Sequence, residues 1–229
     1  MWIFAWIFAC SLLIGFQSDA AVLTLDVTGA ISDFGDDSAI LDGSISLGTP
    51  FHMHVVYDEA ESPYFVQGHE SDWIFTVPPG QISLSVGNYS VAAGSVSDDP
   101  TLPIGFGVYL FDDVAGGNDS YAISASGPVS GGAGAVFATF GLLLYDSNGT
   151  ALGVPGLSGV PFSLEPWDVA HSVELVLSDS NQPGSREATM HGQIQQLQQL
   201  NPQGVPEPAS GVLSAAVLAA LGFAARARR

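Results

Sequence analysis

The chain has 229 residues, enough for one medium domain with additional terminal segments. Its formal net charge is −19, it contains no lysine, and three of its four arginines are Arg226, Arg228 and Arg229. Setting aside Asp19 and Glu207 near the two ends leaves 21 acids against Arg186 alone. Such a body excludes nucleic acid and anionic membrane surfaces as partners, because both bind through basic patches that release counterions. Calcium and cationic ligands stay open.

Residues 2–16 form an apolar run, WIFAWIFACSLLIGF, followed by Gln17-Ser18-Asp19-Ala20. The small residues Ser18 and Ala20 predict a signal peptide over 1–20, cut before Ala21, although the usual positive n-region is missing. The single cysteine, Cys10, lies in this run, so the exported body carries no disulfide. Phe8 is too bulky, and the preceding stretch too short, for a lipoprotein reading around Cys10.

From Ala21 to Leu200 the chain reads as short strands broken by Gly, Asn, Asp and Pro. Alternation is plain in Val22–Val27, Gln81–Val86 and Ser172–Leu177. The continuous apolar runs Ile104–Phe111 and Ala135–Tyr145 predict central strands covered on both faces. Turns are expected at Gly87-Asn88, Asp112-Asp113, Gly116-Gly117-Asn118, Asn148-Gly149 and Pro183-Gly184. Ala188–Leu200 predicts a last strand that frays into a Gln-rich linker, with a short helix as the alternative. No segment holds a helical stripe, and no repeat has a fixed period. The expectation for 21–200 is therefore an all-β antiparallel sandwich, jelly-roll-like, followed by a linker over 201–204.

Leu41–Ile45 and Phe51–Asp58 resemble the Gly-rich strand, followed by a strand ending in Tyr-Asp, of exported β proteins without assigned function. His52 and His54 sit at i and i+2 on one strand face, with Glu59, His69 and Glu70 downstream. Imidazoles with a carboxylate suit zinc, iron or manganese. The pair partly resembles the first cupin motif, but its glycines are misplaced and no second motif follows. The expectation is no metal: two histidines facing solvent on an edge strand while Phe51, Met53 and Val55 fill the core. Two acidic groups, Asp33/Asp36/Asp37 and Asp112/Asp113/Asn118/Asp119, match no calcium-loop spacing. They read as solvated turns, with calcium as the alternative.

Nucleophilic catalysis has no Gly-x-Ser-x-Gly elbow and no exported cysteine to work with. No carboxylate pair stands out for glycoside hydrolysis. Tyr64, Phe65, Trp73 and Trp167 form either a sugar platform or, as expected here, part of the core. The sequons at Asn88, Asn118 and Asn148 support loops at those positions.

The C-terminus runs Val205-Pro206-Glu207-Pro208, then Ala209–Ala225 without a charge, then Arg226-Ala227-Arg228-Arg229. The 17 apolar residues would make a helix of about 26 Å, just enough to span a bilayer core. The arginines hold their end in the cytoplasm. Pro206 and Pro208 keep the preceding segment extended. These parts in this order resemble the PEP-CTERM sorting signal, a tail also described as an ice-binding-protein C-terminal domain. The resemblance covers residues 205–229. It implies processing by an exosortase-type membrane enzyme, transient residence in the inner membrane, and delivery to the cell surface or extracellular matrix of an exopolysaccharide-producing bacterium. The body is then expected to be a non-enzymatic surface or matrix component without a cofactor. The rival is a secreted carbohydrate-binding or carbohydrate-active, metal-dependent β protein.

Overall fold

A computed structural model describes residues 22–36, 39–76, 78–93, 105–114, 117–152, 156–180 and 185–200. The expected signal peptide, the 201–204 linker and the whole 205–229 segment lie outside the described residues. The elements are all strands apart from one 3-10 turn, Leu157–Gly159. In chain order they are β1 (Val22–Gly35), β2 (Pro50–Asp58), β3 (Phe65–Gln67), β4 (Glu70–Phe75), β5 (Gln81–Val86) and β6 (Tyr89–Ala93). There follow β7 (Phe106–Val114), β8 (Asn118–Gly131), β9 (Phe137–Asp146), β10 (Ala170–Ser178) and β11 (Glu187–Leu200).

The all-β antiparallel class holds, but the strands do not divide into two facing sheets. One sheet runs β3-β4-β7-β8-β6-β5-β2-β1-β11-β10-β9, and a further β8–β9 pairing closes it into an eight-stranded barrel with β3, β4 and β7 attached. Strand β8 makes the closure. It is 14 residues long, and β9 covers one edge from Asp119 to Pro128. The other edge takes β7 over its first half and β6 at Val129–Gly131. Alternation in a sequence decides which side chains turn inward. It does not say which strands meet, and closure depends on that.

The alternation itself is kept. In β1, Leu23, Leu25 and Val27 are buried while Thr24, Asp26 and Thr28 turn outward, and β2, β5, β8, β9 and β10 follow the same rule. Eight strands leave an interior just wide enough for side chains to fill. Tyr57, Met53, Tyr121, Phe140 and Leu144 fill it, each 1% exposed or less. Tyr57 also tilts against Phe75, at 5.2 Å between ring centres, and Phe75 stacks on Phe106 at 5.0 Å, tying the β4–β7 extension to the barrel.

Several expectations are corrected. Strand β2 is interior to the sheet, bonded to β1 on one side and β5 on the other. Asp112 and Asp113 belong to β7, at a register irregularity between Phe111 and Val114, and form no turn. Strand β9 is covered on one face only, since Leu143 is 40% exposed. The Gln-rich end stays in β11 as far as Leu200, because β1 offers it a full ladder from Thr24 to Gly35. Pro183-Gly184 lies outside the described residues.

Gly29 is where the interior is tightest. A β-carbon there would strike the Gln193 carbonyl and lie 2.6 Å from Cζ of Phe51; one on Gly192 would meet the same ring. Two neighbouring inward positions are thus kept empty to admit one phenyl ring. Gly29→Ala is expected to cost about 1–3 kcal/mol by overpacking, read as a lowered midpoint in urea with an unchanged slope; unchanged stability would contradict the packing. Residues 21–200 expressed alone should give a strand-type far-ultraviolet circular dichroism spectrum, and strong minima at about 208 and 222 nm would contradict the architecture.

Candidate functional site

The outer face of β1 and β2 gathers the polar side chains that the inward rule sends to solvent. Asp26 on β1 lies directly opposite His54 on β2, with His52 two residues along. Nδ1–H of His54 donates to Asp26 Oδ1 at 2.8 Å, and Nε2–H of His52 donates to the same oxygen at 3.3 Å. An ionised carboxylate only accepts, so these contacts fix the tautomers: His54 carries its proton on Nδ1 and His52 on Nε2. Burial pushes the Asp26 carboxyl up, but the hydrogen bonds and charge of His54 and His52 outweigh it and hold it below the usual aspartate range.

Beside His52 lies an open hollow of about 540 Å³, edged by Thr28, Pro50, His52, Ser85 and Gln195. Its shape comes from a β-bulge. Thr28 pairs with Gln196 but Gly29 pairs with Ile194, so Gln195 is supernumerary and both glutamines point outward. The site therefore offers an oriented imidazole, hydroxyls and amides, without a nucleophile activated by a base.

The sequence-level metal set is not assembled. His52 and His54 face solvent and Phe51, Met53 and Val55 are buried, as expected. Glu59 lies in the turn after β2, where burial and then Asp58 push its carboxyl up. His69 lies in the turn between β3 and β4, and Glu70 opens β4. Among the described residues no group of three or more His, Cys, Asp and Glu is placed to hold a metal ion.

The acidic loops are used differently from either reading of the sequence. Asp119 and Asp146 face each other across β8 and β9 and are almost wholly buried. Asp146 Oδ1 accepts from Asn148 N at 2.9 Å, and Oδ2 accepts from Thr150 N at 2.7 Å and Ala151 N at 2.9 Å. Asp119 Oδ2 accepts from Leu152 N at 2.7 Å. Burial raises the Asp146 carboxyl, yet these donors together hold it below its ordinary range. Asp168 accepts from Ser147 N and from the Asn148 amide, clamping the same loop. Asp36 in turn accepts from Ile40 N and Leu41 N. Asp37 lies outside the described residues, while Asp33 is exposed on β1.

The four aromatics part company. Trp73 and Trp167 are 3% and 1% exposed, their indole N–H groups donating to Glu61 O and Pro161 O, whereas Tyr64 is 78% exposed and Phe65 39%. Sequence reasoning missed Asp26, Gln195, Asp146 and Asp168. Only the Asp146-Ser-Asn-Gly-Thr run carried a local signal, that of an Asp-initiated turn. The sorting residues Val205, Pro206, Glu207, Pro208, Arg226, Arg228 and Arg229 lie outside the described residues.

Comparison with known protein families, curated proteins and solved structures finds no match for this chain.

Replacing both His52 and His54 by Ala should leave fold and metal content unchanged but raise the Asp26 titration midpoint, read by carboxyl-carbon NMR. A depressed carboxyl contributes stability above its unfolded value of about 3.9, lost as pH falls through the folded value. The double variant should therefore differ from the native protein at neutral pH and converge with it in strong acid. An unmoved Asp26 midpoint would contradict the shared hydrogen bonds.

Proposed function

We propose that this is an exported protein, sorted by an exosortase-type enzyme to the cell surface or extracellular matrix, where its barrel acts by binding and not by catalysis. The carrying observation is the order Val205-Pro206-Glu207-Pro208, uncharged 209–225, then Arg226, Arg228 and Arg229. The barrel is compatible with removal of that segment. Its first and last described strands pair with each other, Thr24 opposite Leu200, and the eleven described strands complete the barrel by Leu200. A cut at Pro206–Pro208 would thus take no described strand away.

The acidic body favours solubility over adhesion to anionic surfaces once released. On this reading calcium, other cofactors and nucleic acid play no part, and exopolysaccharide is the partner available in the matrix. The uncharged segment 209–225 has 17 residues; read as a helix, it is near the minimum for a span and suits temporary residence in the inner membrane.

Pro206-Glu207-Pro208 replaced by Ala-Ala-Ala should let helix continue outward and trap full-length protein in the inner membrane. Intact mass of surface-derived protein is the measurement: the native form should end near residues 205–208, lacking Arg226, Arg228 and Arg229. A mature form still ending at Arg229 would refute sorting by cleavage.

A further inference from the structure

On the opposite wall, two open hollows of about 240 and 530 Å³ adjoin at Ser124. Their origin is a cross-strand row. Ile74 on β4 faces Gly107 on β7, which faces Ser124 on β8; Gly141 on β9, Glu174 on β10 and His191 on β11 continue it. Residues opposed across a ladder share a face, so the surface drops where Gly, Ser and Gly follow one another.

Tyr109 gives the dip a chemistry. A β-carbon on Gly107 would strike the Tyr109 hydroxyl and lie 2.6 Å from Cζ and 2.8 Å from Cε2, so Tyr109 reaches back along the strand with its hydroxyl end over the glycine. Covering a strand glycine with an aromatic ring is a structural use in itself. That use does not require Ile74 beside it to be 46% exposed, nor the hydroxyls across the hollow, where Ser126 Oγ and Thr139 Oγ1 stand 3.0 Å apart. A part-exposed ring lying along the strand, next to hydroxyls and with Glu174 and His191 at the far end, matches a ligand with apolar C–H faces and hydroxyl edges. That is the surface of a sugar ring. The hollow beside His52 has no such platform, since Phe51 there is buried.

We propose that the double hollow from Tyr109 across Ser124 to Glu174 binds a neutral polysaccharide, one sugar ring stacked on Tyr109 and hydroxyls bonded along the Ser124 floor. Polyanionic glycans are disfavoured by the body's own charge. The inference rests on the binding role proposed above and deepens it by assigning the site and the neutral class of the polymer; it stands or falls separately from tail cleavage.

The test is native electrophoresis of the full-length protein in non-ionic detergent, through gels containing hydroxyethyl cellulose, xyloglucan, mannan or dextran, with alginate and casein as polyanion and polypeptide controls. At least one neutral polymer should retard the native protein and neither control should. Tyr109→Ala should weaken that retardation roughly tenfold. Ser124→Tyr, which fills the junction from an exposed position, should do the same without lowering the thermal midpoint; it carries the test alone if the Tyr109 variant fails to fold. No retardation by any of the four polymers, equal retardation by alginate or casein, or retardation undiminished in the folded variants would overturn the proposal.

Discussion

Everything in this molecule is subordinate to filling one narrow space. An eight-stranded barrel is stable only if the inward side chains occupy its interior without voids or overlap. Here that balance is struck locally. Phe51 takes the volume that Gly29 and Gly192 give up, and Tyr57 reaches both Tyr121, hydroxyl to hydroxyl at 3.1 Å, and the ring of Phe75. Pairing the two phenols satisfies polar groups that would otherwise be costly to bury, and burial drives both phenols well above their ordinary range. Among the described residues, the inward positions of the barrel are taken by these buried side chains. On the proposed binding role, the ligand is therefore met on the outer wall or the loops.

The loops are also partly committed. Asp146, Asp119 and Asp168 spend their oxygens on the backbone and amide groups of residues 147–152. These carboxylates substitute for a ladder where the chain leaves β9, and they explain why a strongly acidic body need not be a cation store. Carboxylates with several backbone donors are stabilised as anions without any metal. Arg186 is used in the same local way, its Nε donating to Asp179 Oδ2 at 2.7 Å between the end of β10 and the start of β11.

What the sequence disclosed and what it hid divide along one physical line. Burial of alternate residues is a local property, so the strands at 22–27, 81–86 and 172–177 and the inward set Phe51, Met53 and Val55 could be read directly. Turn chemistry is local as well, and Gly87 and Gly149 do adopt the positive φ that the turns at Gly87-Asn88 and Asn148-Gly149 imply. Pairing is not local. Nothing near Asp26 announces that His54 will stand opposite it, and nothing near Gly107 announces Ser124 and Gly141. Both candidate sites are products of register, as is closure through β8, which turned the expected sandwich into a barrel. Asp112-Asp113 misled for a related reason: paired acids usually mark a turn, but β4 and β8 hold β7 as far as Phe111, β8 takes it up again at Val114, and the two acids fall in the irregularity between.

The charge pattern limits which kinds of recognition remain. With no lysine, and Arg186 alone among the basic residues of 21–200, the barrel has almost no means of attracting an anion. Long-range attraction could act only on cations; Asp119 and Asp146 are turned inward on their own loops, while carboxylates such as Asp33 and Glu174 stay exposed. Besides such carboxylates, the outer wall offers short-range groups: hydroxyls on β5, β8 and β9, amides at the β11 bulge, imidazoles held by a carboxylate, and a tyrosine laid along its strand over a glycine. Groups of this kind discriminate by fit and hydrogen-bond count rather than by charge, and their binding is little affected by salt. Such a surface suits the proposed neutral polymer while repelling polyanions, and steering by charge would at physiological salt be screened within about 8–10 Å.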